Sequence, residues 1–405
     1  MSMDAFIYRN LTPPPDAGNT PLSGKRFTVQ ANMSVRDWPT EAGSVALKGY
    51  IAVEDSTVVS RLQKAGACLV GSTRMSELGF GIRNDSSAKA VVDGHADIAL
   101  ITDTMGEARM AAALAGVCGF KPSHGIVSRF GLFCLVPSME CIGIAARHPF
   151  DITAVLGAIA GYDENDYSMA VDGIPDPERV HGNNDYQGFA GFIREFLESL
   201  GEEENGIFRE SLQWLEMNGW RVREVSLPDI ALLPAVHNVI GSVEASSSGG
   251  KYDGVRYGYR AQGTKNWNEM YLKTREEAFG LLVKSYLMQG AYFQFENYRA
   301  FENACRIRNR LLRKTQQLLQ EVAMLVFPTR RHAFPADMAR NIKETYEAFP
   351  FTMLSNVTGQ PAIHLSNTHG GNPLEPGVQL VGPLYGDFRL LGMAERLFVS
   401  RKGAD

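Results

Sequence analysis

The chain has 405 residues, of which 44% are hydrophobic and 21% charged, and its formal net charge is -5 at pH 7. That balance is enough for a large folded core and excludes disorder on a large scale. It also argues against broad nucleic-acid binding, because neutralising phosphates takes a basic face. No apolar run approaches the roughly 20 residues needed to cross a bilayer. The opening MSMDAFIYRNLTPPPD lacks the charged-then-apolar layout of a signal peptide. The expected location is cytoplasmic, with no membrane contact.

In chain order, residues 1–24 read as a Pro-rich N-terminal segment too broken for a regular element. Arg26 to Ala31 has a strand pattern, and Asp55 to Ala65 a helical one with Val58, Val59, Leu62 and Ala65 in phase and Asp55 or Ser56 as cap. A buried strand follows at Ala67 to Gly71. Helix followed by strand recurs at Val91 to Leu100 and at Arg209 to Val225, where Asn-Gly stops the helix. Residues 163–210 are polar and read as a variable surface excursion. Two helices are expected near Arg275 to Gln289 and Tyr292 to Gln320, then strands at Met324 to Phe327, Ala362 to Leu365 and Gly377 to Val381, and a last helix from Asp387 to Val399. This alternation predicts one α/β domain over 1–405, with a mixed β-sheet covered by helices on both faces.

The five cysteines (Cys68, Cys118, Cys134, Cys141 and Cys305) form no CxxC pair and read as reduced structural thiols. The histidines show no metal-ligand spacing, although His364 and His369 lie five apart. No metal or cofactor is indicated.

The chemistry-bearing stretch is Gly81 to Gly125. A strand pattern (Ile98 to Ile101), a tight turn (Thr102 to Gly106) and an Ala-rich helix pattern (Ala108 to Val117) follow one another, an order that creates anion sites from the unpaired N–H groups of a helix start. Glu107 sits at that start. A carboxylate there is expected to be held in its charged form by the helix dipole, capping the helix and occupying the anion site.

The segment ALITDTMGEARMAAALAGVCGFKPSHGIVSRFGL (99–132) resembles the signature of the amidase signature family, and other stretches resemble its glutamyl-tRNA(Gln) amidotransferase A-subunit branch. Those stretches are YDGVRYGYR (252–260), KTREEAFG (273–280), LMQGAY (287–292), NVTGQPAIHLS (356–366) and GVQLVG (377–382). The resemblance implies the amidase signature fold. In active members it implies amide hydrolysis or transfer by a Ser, bridging Ser and Lys triad, in which a neutral lysine draws a proton through the bridging hydroxyl and turn N–H groups stabilise the oxyanion.

Carried over residue by residue, the nucleophile's place in TDTMGEAR is Glu107, the lysine's place is Gln30 with Asn32 kept two residues on, and the bridging serine's place is Arg83. The family's approach to the bridging loop is missing between Phe80 and Gly81, and Met105 replaces a glycine of the oxyanion turn. Ser86 and Ser87 lack a lysine base and read as ordinary hydroxyls. If Gln30, Arg83 and Glu107 lie together, Arg83 is expected to pair with Glu107 while Gln30 adds a hydrogen bond.

Asp103, Thr104, Met105, Gly106 and Arg109 of the turn and helix, together with Tyr292, are the candidate substrate-binding residues. Tyr292 falls where that branch of the family has a tyrosine near its glutamine pocket. The leading expectation is a non-hydrolytic paralogue. It would partner amidotransferase B- and C-type subunits, self-associate, or bind a small carboxylate- or amide-containing molecule. The alternatives are an active amidase or glutamine-hydrolysing subunit, or an enzyme repurposed around Glu107 and Arg83.

Overall fold

The computed structural model of the protein describes residues 5–10, 18, 20–169, 188–331, 339–366 and 377–402. Its strands are β1 (Phe6–Arg9), β2 (Arg26–Gln30), β3 (Cys68–Thr73), β4 (Ile98–Asp103), β5 (Cys118–Lys121), β6 (Cys141–Ala146), β7 (Phe189–Ile193), β8 (Arg221–Val225), β9 (Met324–Pro328), β10 (Ala362–Leu365) and β11 (Val378–Val381). They form an 11-stranded sheet in the order β1-β3-β2-β4-β6-β5-β10-β11-β9-β7-β8. The sheet is mixed. β3-β2-β4 and β9-β7-β8 run parallel, and the strands from β4 across to β9 pair antiparallel.

The first helices are α1 (Thr57–Lys64), α2 (Ser87–Val92), α3 (Glu107–Ala115) and α4 (Pro149–Ile159). Next come α5 (Arg194–Glu198), α6 (Glu202–Met217), α7 (Leu233–Ser248), α8 (Trp267–Ala278), α9 (Leu281–Phe295) and α10 (Tyr298–Glu321). The last are α11 (Ile342–Glu347), α12 (Met353–Thr358) and α13 (Asp387–Lys402). Strand periodicity sends alternate side chains to opposite faces. In β4, Ala99 and Ile101 join Ala88, Val91, Ala108 and Ala112 of α2 and α3, whereas Ile98 and Leu100 join the main core with Leu62 of α1 and Val155 of α4. Both faces of β4 are therefore apolar and covered, the two-sided sheet expected from the sequence.

The close seat of α3 on the sheet depends on the absence of side chains beneath it. A Cβ on Gly143 of β6 would lie 2.5 Å from the Cβ of Ala108, and one on Gly119 of β5 would lie 2.5 Å from that of Ala112. The Ala-rich helix and these glycines thus bring the start of α3 close over the end of β4.

Several elements depart from expectation. The N-terminal segment contains β1, which pairs antiparallel with β3, and the polar excursion contains β7, α5 and the start of α6. The expected pair of helices after residue 270 is three. Asn266 caps α8 through its side chain on the Glu269 N–H, α9 starts after Gly280, and α10 starts after Asn297. Glu77 fixes the α8–α9 break by accepting from the Gly280 N–H at 2.9 Å, a contact 203 residues away in sequence. All five cysteines are free. His364 is buried against the Thr329 hydroxyl, and His369 lies outside the described residues.

Gly143→Val forces a side chain into the α3 seat and is expected to lower stability by about 1–3 kcal/mol. Gly157→Ala, on α4 with nothing within 4 Å of the new Cβ, is expected to be neutral or stabilising by up to about 1 kcal/mol. Urea unfolding of both variants checks the pair.

Candidate functional site

Glu107, at the first position of α3, is 2% exposed. Its Oε2 accepts from the backbone N–H of Thr104 at 2.6 Å, of Met105 at 2.7 Å and of Gly106 at 3.2 Å. Its Oε1 accepts from the Gly81 N–H at 3.3 Å. The turn can aim three donors at one oxygen because Gly106 has φ of 126°, a conformation L side chains rarely adopt. The Thr352 hydroxyl donates to the Met105 carbonyl at 2.6 Å and packs where a Cβ on Gly106 would be. The anion site of the turn is occupied by the side chain of the residue that follows it.

Burial, with the Asp103 carboxylate second, pushes the Glu107 pKa up to about 8. This corrects the expectation of a firmly ionised carboxylate. The N–H donors do favour the anion, but they do not offset the loss of water and the nearby negative charge.

Below Glu107 lies a buried ion pair. Arg109 and Asp103 are both 0% exposed, and the guanidinium grips the carboxylate through Nε at 3.1 Å and Nη2 at 2.9 Å. Its remaining donors reach the Thr352 carbonyl at 2.9 Å, Asn356 Oδ1 at 2.6 Å and Gln379 Oε1. Asn356 returns a hydrogen bond to Asp103 Oδ1 at 2.8 Å. Burial opposes ionisation of Asp103, but the guanidinium wins and holds its pKa below the ordinary value. Sequence reading placed Asp103 and Arg109 in a substrate site. In the fold they join β4 and α3 to α12 and β11.

Gln30 ends β2 and is fully engaged: its Oε1 accepts from the Thr102 N–H at 2.8 Å and its Nε2 donates to Asp85 Oδ2. Asn32 donates to the Thr102 hydroxyl at 2.8 Å. Arg83 is exposed and makes no ion pair with Glu107, so the expected Arg83–Glu107 contact is corrected. The reason is local. The Ser76 hydroxyl ties the carbonyls of Gly81 and Arg83 at 2.7 and 3.0 Å, Ile82 turns into the core at 5% exposure, and Asn84 has φ of 63°. Asp85, which the sequence reading missed, meets Gln30 instead, and burial pushes its pKa up to about 6. Ser87 is buried against the Thr73 hydroxyl at 2.7 Å, and Ser86 donates to the Ala5 carbonyl at 2.6 Å.

A second missed group lies on the other side of the turn. His237 Nε2 lies 2.9 Å from the Thr104 carbonyl, which can only accept, so the proton sits on Nε2. Its Nδ1 then accepts from the Tyr346 hydroxyl at 2.9 Å, and the Tyr286 hydroxyl lies 3.0 Å beyond. Burial lowers the His237 pKa to about 4, which keeps the ring neutral. Tyr286 stacks on Phe80 with ring centroids 4.3 Å apart. Tyr292 is 52% exposed on α9 with its ring against Phe293. Glu107 lines neither the groove of about 960 Å³ nor the cavity of about 450 Å³, the second of which is lined by Asp85.

A family model described as Amidase matches residues 14–89 and 86–391. The A subunit of glutamyl-tRNA(Gln) amidotransferase from Natronomonas pharaonis is 32% identical, with 96% of this chain and 98% of the relative aligned. The same protein from Chlorobaculum tepidum is 30% identical over 93% of this chain and 84% of its own length. Among solved structures, the Thermotoga maritima A subunit of glutamyl-tRNA(Gln) amidotransferase superposes with a TM-score of 0.78 at 25% identity, covering 97% of this chain and 86% of that one. A 6-aminohexanoate cyclic dimer hydrolase complexed with substrate shares the fold, with a TM-score of 0.77 at 18% identity over 98% and 89% of the two chains.

The raised Glu107 pKa sets a pH dependence. A carboxyl near 4.5 when unfolded and about 8 when folded contributes stability that is whole below pH 4.5 and is lost as pH rises to 8, at ~1.4 kcal/mol per pH unit. Glu107→Gln removes the titration. Its stability relative to the native chain is therefore expected to climb between pH 5 and 8 and level off above, which urea midpoints across that range measure. A difference independent of pH contradicts the assignment.

Proposed function

The chain belongs to the amidase family, and from that premise we propose that it is a non-hydrolytic member. In this reading it acts as a partner within a complex or as a binder of a small carboxylate- or amide-containing molecule. The observation that carries the reading is the Glu107 carboxyl seated on the N–H groups of Thr104, Met105 and Gly106. Acyl transfer through this turn would need a hydroxyl at that position and free donors for the oxyanion. A buried carboxyl supplies neither. Gln30 has no basic nitrogen to stand for a lysine, and Arg83, at the bridging position, faces solvent.

The alternative of an enzyme repurposed around Glu107 draws on one fact, the carboxyl pKa near 8, which suits a general acid at neutral pH. Arg83 contributes nothing to it, and the 2% exposure of Glu107 leaves a substrate no approach. An active glutamine-hydrolysing chain would need a different triad. Ser86 and Ser87 bond to the Ala5 carbonyl and the Thr73 hydroxyl, with no lysine beside them in those contacts.

Because the relatives are named as the A component of an amidotransferase, B- and C-type subunits are the first partners to test by pull-down, with self-association the second. Among the described residues no helix is long and apolar enough to cross a membrane, in keeping with a cytoplasmic location. The continuous sheet supports one domain over 1–405.

The decisive assay is glutaminase and arylamidase turnover of the purified protein. None is expected above a heat-denatured control. Turnover that survives Glu107→Gln but is lost in Ser86→Ala or Ser87→Ala overturns the proposal. Turnover abolished by Glu107→Gln transfers it to the repurposed-enzyme alternative.

A further inference from the structure

Helix α9 is apolar on two opposite faces. Val283, Tyr286, Leu287 and Gly290 are buried on the side that packs against α7, and the seat is close, because a Cβ on Gly290 would overlap the Ser242 carbonyl. On the far side Leu281, Met288, Tyr292 and Phe295 are 78%, 73%, 52% and 75% exposed. Their intervals of seven, four and three residues keep them within about 60° of one another around the helix axis, with Gly290 diametrically opposite. The glycine seat fixes the roll of the helix, so the stripe cannot turn inward. A helix that is apolar all round is ordinarily covered all round.

The size and charge of the stripe indicate what covers it. Its four side chains present on the order of 500 Å² of largely apolar surface, a scale that on a monomer often marks an interaction site. The residues beside them bring this face towards the roughly 800 Å² that each partner contributes to a stable complex. Lys284 is the one charged residue of α9, and its field falls on Glu77, whose ionised form it favours. An uncharged stripe does not match an anionic membrane surface or a nucleic acid, which are bound through rows of cations.

The stripe does match itself. Leu281 and Phe295 each lie seven residues from Met288, so two copies related by a two-fold axis at Met288 run antiparallel, with Leu281 against the partner's Phe295 at both ends. A smaller side chain meets a larger one at each end, and methionine meets methionine at the centre. Tyr292 falls beside the partner's Ser285. The Ser285 hydroxyl donates to the Leu281 carbonyl at 2.8 Å, which leaves its oxygen able to accept from a tyrosine. The two Lys284 side chains stand roughly 12 Å apart along the pair, so no like charges meet.

We infer that α9 is the contact of a homodimer, in which two copies of this chain pack their exposed stripes antiparallel about Met288. The inference goes beyond the non-hydrolytic reading by assigning a surface and its partner, and it does not depend on the state of Glu107.

The test is sedimentation equilibrium of the full-length protein over a wide concentration range, where a reversible dimer is expected. Met288→Glu, which sets two carboxylates against each other at the axis, is expected to weaken association at least tenfold. Met217→Glu, at a comparably exposed methionine of α6, is expected to leave it unchanged. In a Cys305→Ser background, Met288→Cys is expected to form a disulfide between copies on mild oxidation, and Phe295→Cys to do so only when mixed with Leu281→Cys. A native protein that is monomeric throughout, a dimer that keeps its affinity in Met288→Glu, equal weakening by Met217→Glu, or cross-linking of Phe295→Cys alone overturns the inference. So does a native monomer that binds vesicles or a B-type subunit through Met288. Amide turnover by the native dimer would instead overturn the non-hydrolytic proposal and leave the dimer standing.

Discussion

Three backbone N–H groups converge on one carboxyl oxygen of Glu107, and the contacts around the turn hold them there. Gly106 supplies the backbone angle and Thr352 holds the Met105 carbonyl. The Arg109–Asp103 pair ties the end of β4 and the start of α3 to α12 and β11 through Asn356 and Gln379. Removing either member of that pair would strand a charge at zero exposure, a change of about 3–5 kcal/mol. Donors left empty at the turn would each cost roughly 1–3 kcal/mol. Both magnitudes are large against the roughly 5–15 kcal/mol total of a typical domain, so the turn contributes to holding the fold together as well as presenting a candidate site.

On the proposed reading, the same arrangement sets this chain's chemistry apart from that of a hydrolase on the same scaffold. Preorganised N–H groups accelerate acyl transfer only when they are free to receive charge as it develops. Here they receive a carboxyl that is already in place. Phe80, stacked on Tyr286, and the neutral His237 with its two tyrosines close in around the turn. Open space lies elsewhere, in the groove beside Tyr346.

Much of this was legible in the sequence, and the reasons are specific. β2, β3, β4 and β9 to β11 are short apolar runs bounded by turn residues, and Glu107 stood out because it begins the helix of a strand-turn-helix pattern, where the family resemblance implies a serine. Asn356 and Gln379 lie in stretches that already matched the family, although their partner Arg109 could be identified only in three dimensions. The missed features are all long-range. β1 is held by its pairing with β3, and the α8–α9 break by Glu77. His237 and Tyr346 meet across 109 residues with no local pattern to announce them. The expected Arg83–Glu107 contact does not form because alignment fixes a position in the chain and says nothing about which way a loop turns. Ser76 turns this one outward.

The central claim, that the turn is an anion site filled by its own side chain, is tested most directly by vacating it. Amide resonances of Thr104, Met105 and Gly106 in the native protein and in Glu107→Ala, followed while acetate is added, report whether those N–H groups are free. The account predicts no response in the native protein and saturable shifts of all three resonances in the variant. Acetate-dependent shifts at the same amides in the native protein, or none in a folded variant, would contradict it.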